Sequence, residues 1–205
     1  MEPGALALQQ LVPRRLLEGV YQLTSGWEKR YLVRTAEGNV LVDTPPGEEE
    51  IFRAIDLLGG ARLLFITHRD TVGDAWLFHE RLGVRIAIHP DDAAYVAGAP
   101  VAIPLRDGQR LTPETQVIHA PGHSPGSCAL LLERQAGALF TGDIVITDAD
   151  GTLRLPLEDY SERPRRARDA AARLLRHPFD ALLPAHGEPV LTGAHQRLRE
   201  FVAQQ

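Results

Sequence analysis

The sequence is short of the features that would place it outside an ordinary folded chain. It has one cysteine, Cys128, so no disulfide can form within the chain and packing has to hold the fold. Cys128 lies in an apolar stretch and reads as a core residue rather than a reactive one. No apolar run approaches the roughly 18 residues of a membrane-crossing helix. The first residues, with Glu2 and Pro3, lack the basic-then-apolar pattern of a secretory leader. A cytoplasmic location and no membrane partner are therefore expected. Excess positive charge is also missing. The net charge is -5, a poor match for a phosphate backbone, so no nucleic-acid partner is expected. The one basic run, Arg163-Pro164-Arg165-Arg166-Ala167-Arg168, opens an expected helix and reads as a solvated face. Lys29 is the only lysine and Asn39 the only asparagine. Few thermolabile amides with abundant charge suit a bacterial thermophile, although a coding bias yields the same arginine excess.

What is present is a length of 205 residues, 44% of them hydrophobic and 24% charged. That is enough to bury a sizeable core. No long polar linker or internal repeat divides the chain, so one domain over residues 1–205 is expected.

The segment from Leu6 to Glu18 reads as a terminal strand or a turn of helix. Apolar runs at 30–34 and 39–42 form a meander, with the turn Ala36-Glu37-Gly38-Asn39 between them. A helix begins near Glu48, with Glu48, Glu49 and Glu50 at its positive end and Ile51, Ile55 and Leu58 on one face. Gly59-Gly60 stops it. Leu63-Leu64-Phe65-Ile66 is a buried strand. A second helix is expected from Gly73 to Leu82, with Thr71 and Asp74 in a variant capping box. Strand 85–88 and a short helix over 91–96 follow.

From Val101 the strands come closer together, at 101–103, 116–118, 128–132 and 138–140. Asp148-Ala149-Asp150-Gly151 reads as a hairpin turn. Pro164 to His177 is a helix with Ala167, Ala170, Ala171, Leu174 and Leu175 inside. Strand 181–183 and a helix over 194–202 finish the chain. The expected fold class is α/β: a four-layer αββα sandwich of two mixed β-sheets flanked by helices.

Chemistry concentrates where apolar segments end in short polar clusters: Thr67-His68-Arg69-Asp70, Gly122-His123-Ser124-Pro125-Gly126, Thr141-Gly142-Asp143 and Pro184-Ala185-His186-Gly187. Imidazole nitrogens and carboxylate oxygens are ligands for zinc and similar ions, and catalytic sites keep three protein ligands plus water. His68, Asp70, His123, Asp143 and His186 are the candidate metal ligands, and Asp70 is also the candidate catalytic group. Taken singly, each has a plain structural role: a helix cap, a turn residue or a surface histidine. His79, His89, His119, His177 and Asp74 carry weaker claims.

These motifs, in order, give the chain a resemblance to the metallo-beta-lactamase-fold hydrolases, close in style to hydroxyacylglutathione hydrolases. Asn39-Val40-Leu41-Val42-Asp43-Thr44 resembles the family's early strand and its supporting aspartate. Pro121-Gly122-His123-Ser124-Pro125-Gly126-Ser127 is the strongest match. Phe140-Thr141-Gly142-Asp143 resembles the strand carrying the bridging aspartate, and Pro184-Ala185-His186-Gly187 the late histidine. The departure lies in the family's pattern of threonine, histidine, any residue, histidine, any residue, aspartate, histidine. Asp70 stands where the second histidine belongs, Val72 where the aspartate belongs and Gly73 where the last histidine belongs.

The resemblance then implies one metal position built from His68, Asp70, His123 and Asp143 and reached by His186. The second position keeps only Asp143 and His186. Two ions about 3.5–4 Å apart need more donors than that. One divalent ion (zinc, manganese or iron) or a metal-free polar cluster are the two states left open. The first implies a hydrolase of a small ester, thioester or related substrate. The second implies a protein that binds a small polar ligand without converting it. A redox role of the kind seen in relatives that carry iron beside a flavin domain finds no flavin-binding region in this length. Region 144–162 would help wall the pocket, and its leucines, if exposed, would support a homodimer.

Overall fold

The computed structural model describes residues 13–156 and 164–204. The first sheet contains β1 (Arg14–Leu17), β2 (Val20–Gln22), β3 (Tyr31–Val33) and β4 (Val40–Val42), then β5 (Leu63–Phe65), β6 (Arg85–Ile88) and β7 (Val101–Pro104), side by side in chain order. The first four pair antiparallel and the last four parallel. The switch to parallel pairing requires crossovers. Helix α1 (Glu49–Leu57) and helix α2 (Ala75–Leu82) supply two of them, and a short 3-10 helix, Pro90–Tyr95, supplies the third.

The second sheet has the order β14 (Ala181–Pro184), β11 (Ala138–Gly142), β10 (Cys128–Leu132), β9 (Thr115–His119) and β8 (Arg110–Thr112). Only β11 and β14 pair parallel, across a long connection. That connection carries the hairpin of β12 (Ile146–Thr147) and β13 (Leu153–Arg154), then helix α3 (Pro164–Leu174). Helix α4 (Ala194–Gln204) closes the chain.

Alternation along the strands builds three apolar layers. Tyr31, Val33, Val40, Val42 and Phe65 point from the first sheet toward Val117, Leu130, Phe140 and Leu183 of the second. Their neighbours Leu32, Leu41, Leu64 and Ile86 face Ile51, Ile55 and Phe78 of α1 and α2. On the far side, Ile118, Leu131, Leu139 and Leu182 face Ala170, Leu174 and Leu198 of α3 and α4. Both faces of each sheet are covered, which is why the central strands are continuous apolar runs. This is the expected four-layer sandwich. Tyr31 ties the sheets together: its hydroxyl donates to the Pro184 carbonyl at 2.7 Å, and its ring meets Phe140 edge-on at 5.4 Å between centroids.

Several boundaries differ from the sequence reading. Helix α2 starts at Ala75, and its cap residue Asp74 makes no side-chain capping bond. The expected capping box is absent because the Thr71 hydroxyl turns inward to Asp43 Oδ1, 2.7 Å away. The short helix after β6 is 3-10 in type and begins at Pro90. Helix α3 ends at Leu174, with tight turns bonding Leu175, Arg176 and His177 to carbonyls three residues back. Strand β8 was not foreseen. The expected amino-terminal element is a strand within its described part, while residues 1–12 of the chain lie outside the described residues, as do Leu157 and the start of the basic run at Arg163. Among the described residues, no helix is long and apolar enough to cross a membrane.

Candidate metal centre

Four segments converge at one rim of the sandwich. His68 follows β5, His123 lies between β9 and β10, Asp143 follows β11, and His186 follows β14. The first sheet thus contributes one segment and the second contributes three. A backbone bond from Cys128 N to the Thr67 carbonyl, 2.8 Å, joins the two sheets beside the site.

The strand-end loop of β5 is held from below by Asp43. Its Oδ1 accepts from Thr67 N at 2.8 Å and lies 2.8 Å from Thr67 Oγ1. Thr67 Oγ1 is in turn 2.8 Å from His68 Nδ1, which fixes the imidazole so that its Nε2 faces the site. Asp43 reaches this position through a left-handed backbone, φ 60°, a conformation that aspartate tolerates better than most residues. Gly142 lets β11 pass closely: a Cβ there would fall 2.5 Å from Thr67 Oγ1. Asp143 is thereby brought against His68.

His68, His123 and Asp143 are all buried, and one ligand atom from each lies within 4.8 Å of the others. His68 Nε2 is 3.4 Å and His123 Nε2 is 3.8 Å from Asp143 Oδ2. The two rings stand edge to face, 4.6 Å between centroids. Asp70 joins from the exposed side, its Oδ2 3.0 Å from His123 Nε2. His186 joins through Asp143, whose Oδ1 is 2.7 Å from His186 Nδ1. All five candidate residues thus fall in one cluster, with three at its centre and Asp70 and His186 flanking.

The charges lean toward cation binding. Burial raises the Asp143 pKa, but His186 and His68 outweigh it and hold the carboxylate ionised. Burial, helped by the neighbouring His68, lowers the His123 pKa despite Asp143 and Asp70. Burial also lowers that of His68, but Asp143, Asp43 and Asp70 reverse it and the net shift is upward. Negative charge therefore collects at His68, and a bound cation would take the place of the proton there.

His68 Nε2 supplies a direct test of fit. It is buried and has no hydrogen-bond partner. Leaving such a group unpaired costs about 1–3 kcal/mol. Two imidazoles and a carboxylate around an unsatisfied nitrogen match a three-ligand site for one ion. The second position does not fit. Asp143 Oδ1 and His186 already bind each other, and Gly73 has no side chain to offer. Val72 is a buried member of the apolar layer with Phe52 and Phe78.

Sequence reasoning overlooked Asp92. It sits just past the end of β6, at the same rim as His68, and is fully buried. Its position after a parallel strand was the available signal. Trp27 was also overlooked; its half-exposed ring is 6.2 Å from that of His186.

A chain with this sandwich and these residues at its rim belongs to the metallo-beta-lactamase superfamily, whose family model matches residues 28–205. Among similar structures, a Cronobacter sakazakii metallo-beta-lactamase with a HARLDQ motif has TM-score 0.71 and 20% identity, covering 95% of this chain and 92% of that one. TTHA1623, solved in a di-iron-bound form, has TM-score 0.68 and 28% identity, covering 83% of this chain and 94% of that one. Atrochrysone carboxyl ACP thioesterase AacuM from Aspergillus aculeatus is 25% identical over 212 residues, covering 96% of this chain. The chain spans 65% of that relative's length.

Proposed function

We propose that the protein is a hydrolase with one divalent ion, acting on a small ester, thioester or related acyl substrate. The observation that carries this reading is the buried trio His68, His123 and Asp143 around His68 Nε2, which makes no hydrogen bond and lies 3.4 Å from Asp143 Oδ2. The likeness to a thioesterase supports the substrate class.

His68, His123 and Asp143 would hold the ion, with Asp70 as a further oxygen donor. A divalent ion there supplies Lewis acidity, lowering the pKa of a water molecule and polarising an acyl oxygen. Asp70 is exposed and bonded to His123, which suits it to orient a water and accept its proton. Val72, apolar and buried, does neither. Thr67 and Asp43 keep His68 in one orientation throughout. Trp27 offers an apolar wall for the acyl group.

A second reading, a metal-free protein that binds a small polar ligand, draws support from the Asp70–His123 and Asp143–His186 pairs. Each pair gives one imidazole nitrogen a carboxylate partner without an ion.

A panel of small acyl thioesters and esters, assayed with protein of graded metal content, separates the two. Turnover rising in proportion to bound metal and absent in His123→Ala is expected. Ligand binding without turnover at any metal content would favour the second reading.

A further inference from the structure

We propose that Asp92 is a positioning residue that holds the two histidine-bearing loops in register, so that His68 and His123 face one another. The proposal rests on the reading of those histidines as one site. Asp92 comes from neither loop. It lies in the 3-10 helix Pro90–Tyr95 and is 0% exposed.

Its carboxylate reaches both loops. On one side Oδ2 accepts from Arg69 N at 3.0 Å, the amide between His68 and Asp70. On the other, Oδ2 accepts from Ser124 Oγ at 2.5 Å and Oδ1 accepts from Gly126 N at 3.2 Å, both just after His123. Ser127 extends the network, with its Oγ 2.9 Å from Ser124 Oγ and accepting from Ser124 N at 2.9 Å.

A buried carboxylate is costly unless its lone pairs are met. Here two amides and a hydroxyl meet them, and all three donors belong to the ligand loops. The chain is shaped to admit the group: a Cβ on Gly126 would fall 2.6 Å from Asp92 Cγ. The loops come from different sheets, and two direct ties join them: the Cys128–Thr67 backbone bond and the Asp70–His123 side-chain pair, whose Asp70 end is exposed. Asp92 adds a fully buried tie that grips the backbone of both loops. Residues that orient metal-binding side chains typically change affinity 10–100-fold when removed.

The test uses the full chain and four variants: Asp92→Ala, Asp92→Asn, Ser124→Ala, and Leu182→Ala as a core control remote from the loops. Cobalt(II) is titrated while its visible absorption is followed, and the imidazole resonances of His68 and His123 are recorded in metal-free protein. Asp92→Ala is expected to weaken cobalt binding about 10–100-fold, alter the absorption bands and shift both imidazole signals. Asp92→Asn and Ser124→Ala should do so to a lesser degree, and they carry the test if Asp92→Ala does not fold. Leu182→Ala should lose stability and leave both spectra unchanged. Unaltered affinity and unmoved imidazoles in the Asp92 and Ser124 variants would overturn the proposal. If the unmutated chain binds no cobalt, the hydrolase reading fails instead. The imidazole signals then decide alone: displacement in Asp92→Asn but not in Leu182→Ala supports the role of Asp92, and no displacement ends it.

Discussion

The two halves of the rim are built on the same strand ends and differ in what they can hold. The half around His68, Asp70 and His123 has its side chains converging on Asp143 Oδ2 or on each other, with two buried imidazole nitrogens, His68 Nε2 and His123 Nδ1, making no hydrogen bond. The half around His186 has its one imidazole already bonded to Asp143 Oδ1. Val72 and Gly73, which stand where the family pattern has an aspartate and a histidine, contribute only a buried isopropyl group and bare backbone. Donor number at fixed backbone geometry, rather than the fold, decides how many ions a rim of this kind retains.

The comparison is broken most severely by His123→Ala. It removes a central donor, and its effect should exceed the 10–100-fold loss typical of a supporting residue. Zinc affinity measured by competition with a chromophoric chelator would register it. Next comes Val72→Asp, which puts back the family's residue type at a position that is now core. A carboxylate there is buried among apolar groups, so the variant should lose more than the roughly 1–3 kcal/mol that an unpaired neutral polar group costs, seen as a lowered urea midpoint. Metal content should not increase. An unchanged midpoint with added metal would mean that the second half is one residue short, not closed.

Asp70→Ala and His186→Ala sharpen the contrast between the flanking groups. Asp70 contacts His123 at the nitrogen nearest Asp143 Oδ2, whereas the hydrogen bond of His186 goes to the other Asp143 oxygen, Oδ1. Asp70→Ala should weaken metal binding roughly tenfold and reduce turnover more than affinity. His186→Ala should change affinity by less than about threefold. Isothermal titration of the two proteins side by side would expose a reversed order.

The smallest expected effect lies away from the ion. His89 and His119 stack at 4.0 Å between centroids, 11° from parallel. Burial first, and the neighbouring His119 second, lower the His89 pKa, against the pull of Asp91 and Asp92. The folded state therefore releases the proton that the unfolded state binds below its ordinary pKa near 6.5. The contribution to stability is present above that value and is lost as pH falls through the folded pKa. His89→Asn should flatten the melting temperature's dependence on pH between about 5 and 7. A slope identical to that of the unmutated chain would show that the pair is not the source.

Much of this architecture was legible because both faces of each central strand are covered. Leu63–Phe65 and Cys128–Leu132 are apolar throughout, and Gly59 and Gly83 punctuate the first two helices. The five candidate residues were legible because each lies in a short polar cluster beside such a segment. Strand β8 was not, since Arg110–Thr112 is three residues long and gains its identity from pairing with β9. The capping box at Thr71 failed for a related reason: a local bond to the helix lost to a buried bond with Asp43, distant in sequence. The place of Asp92 after a parallel strand was legible but its role was not, because its partners, Arg69, Ser124 and Gly126, are brought to it only by the folded topology.

The number of ions this rim holds separates a three-ligand site from a two-ion one. Native mass spectrometry of the chain, purified without chelator and then exposed to zinc, counts them directly. The predicted result is a single species with about one zinc per chain, the number a three-ligand site supports. A species with two zinc ions held equally tightly, or a chain that remains metal-free throughout, would contradict it.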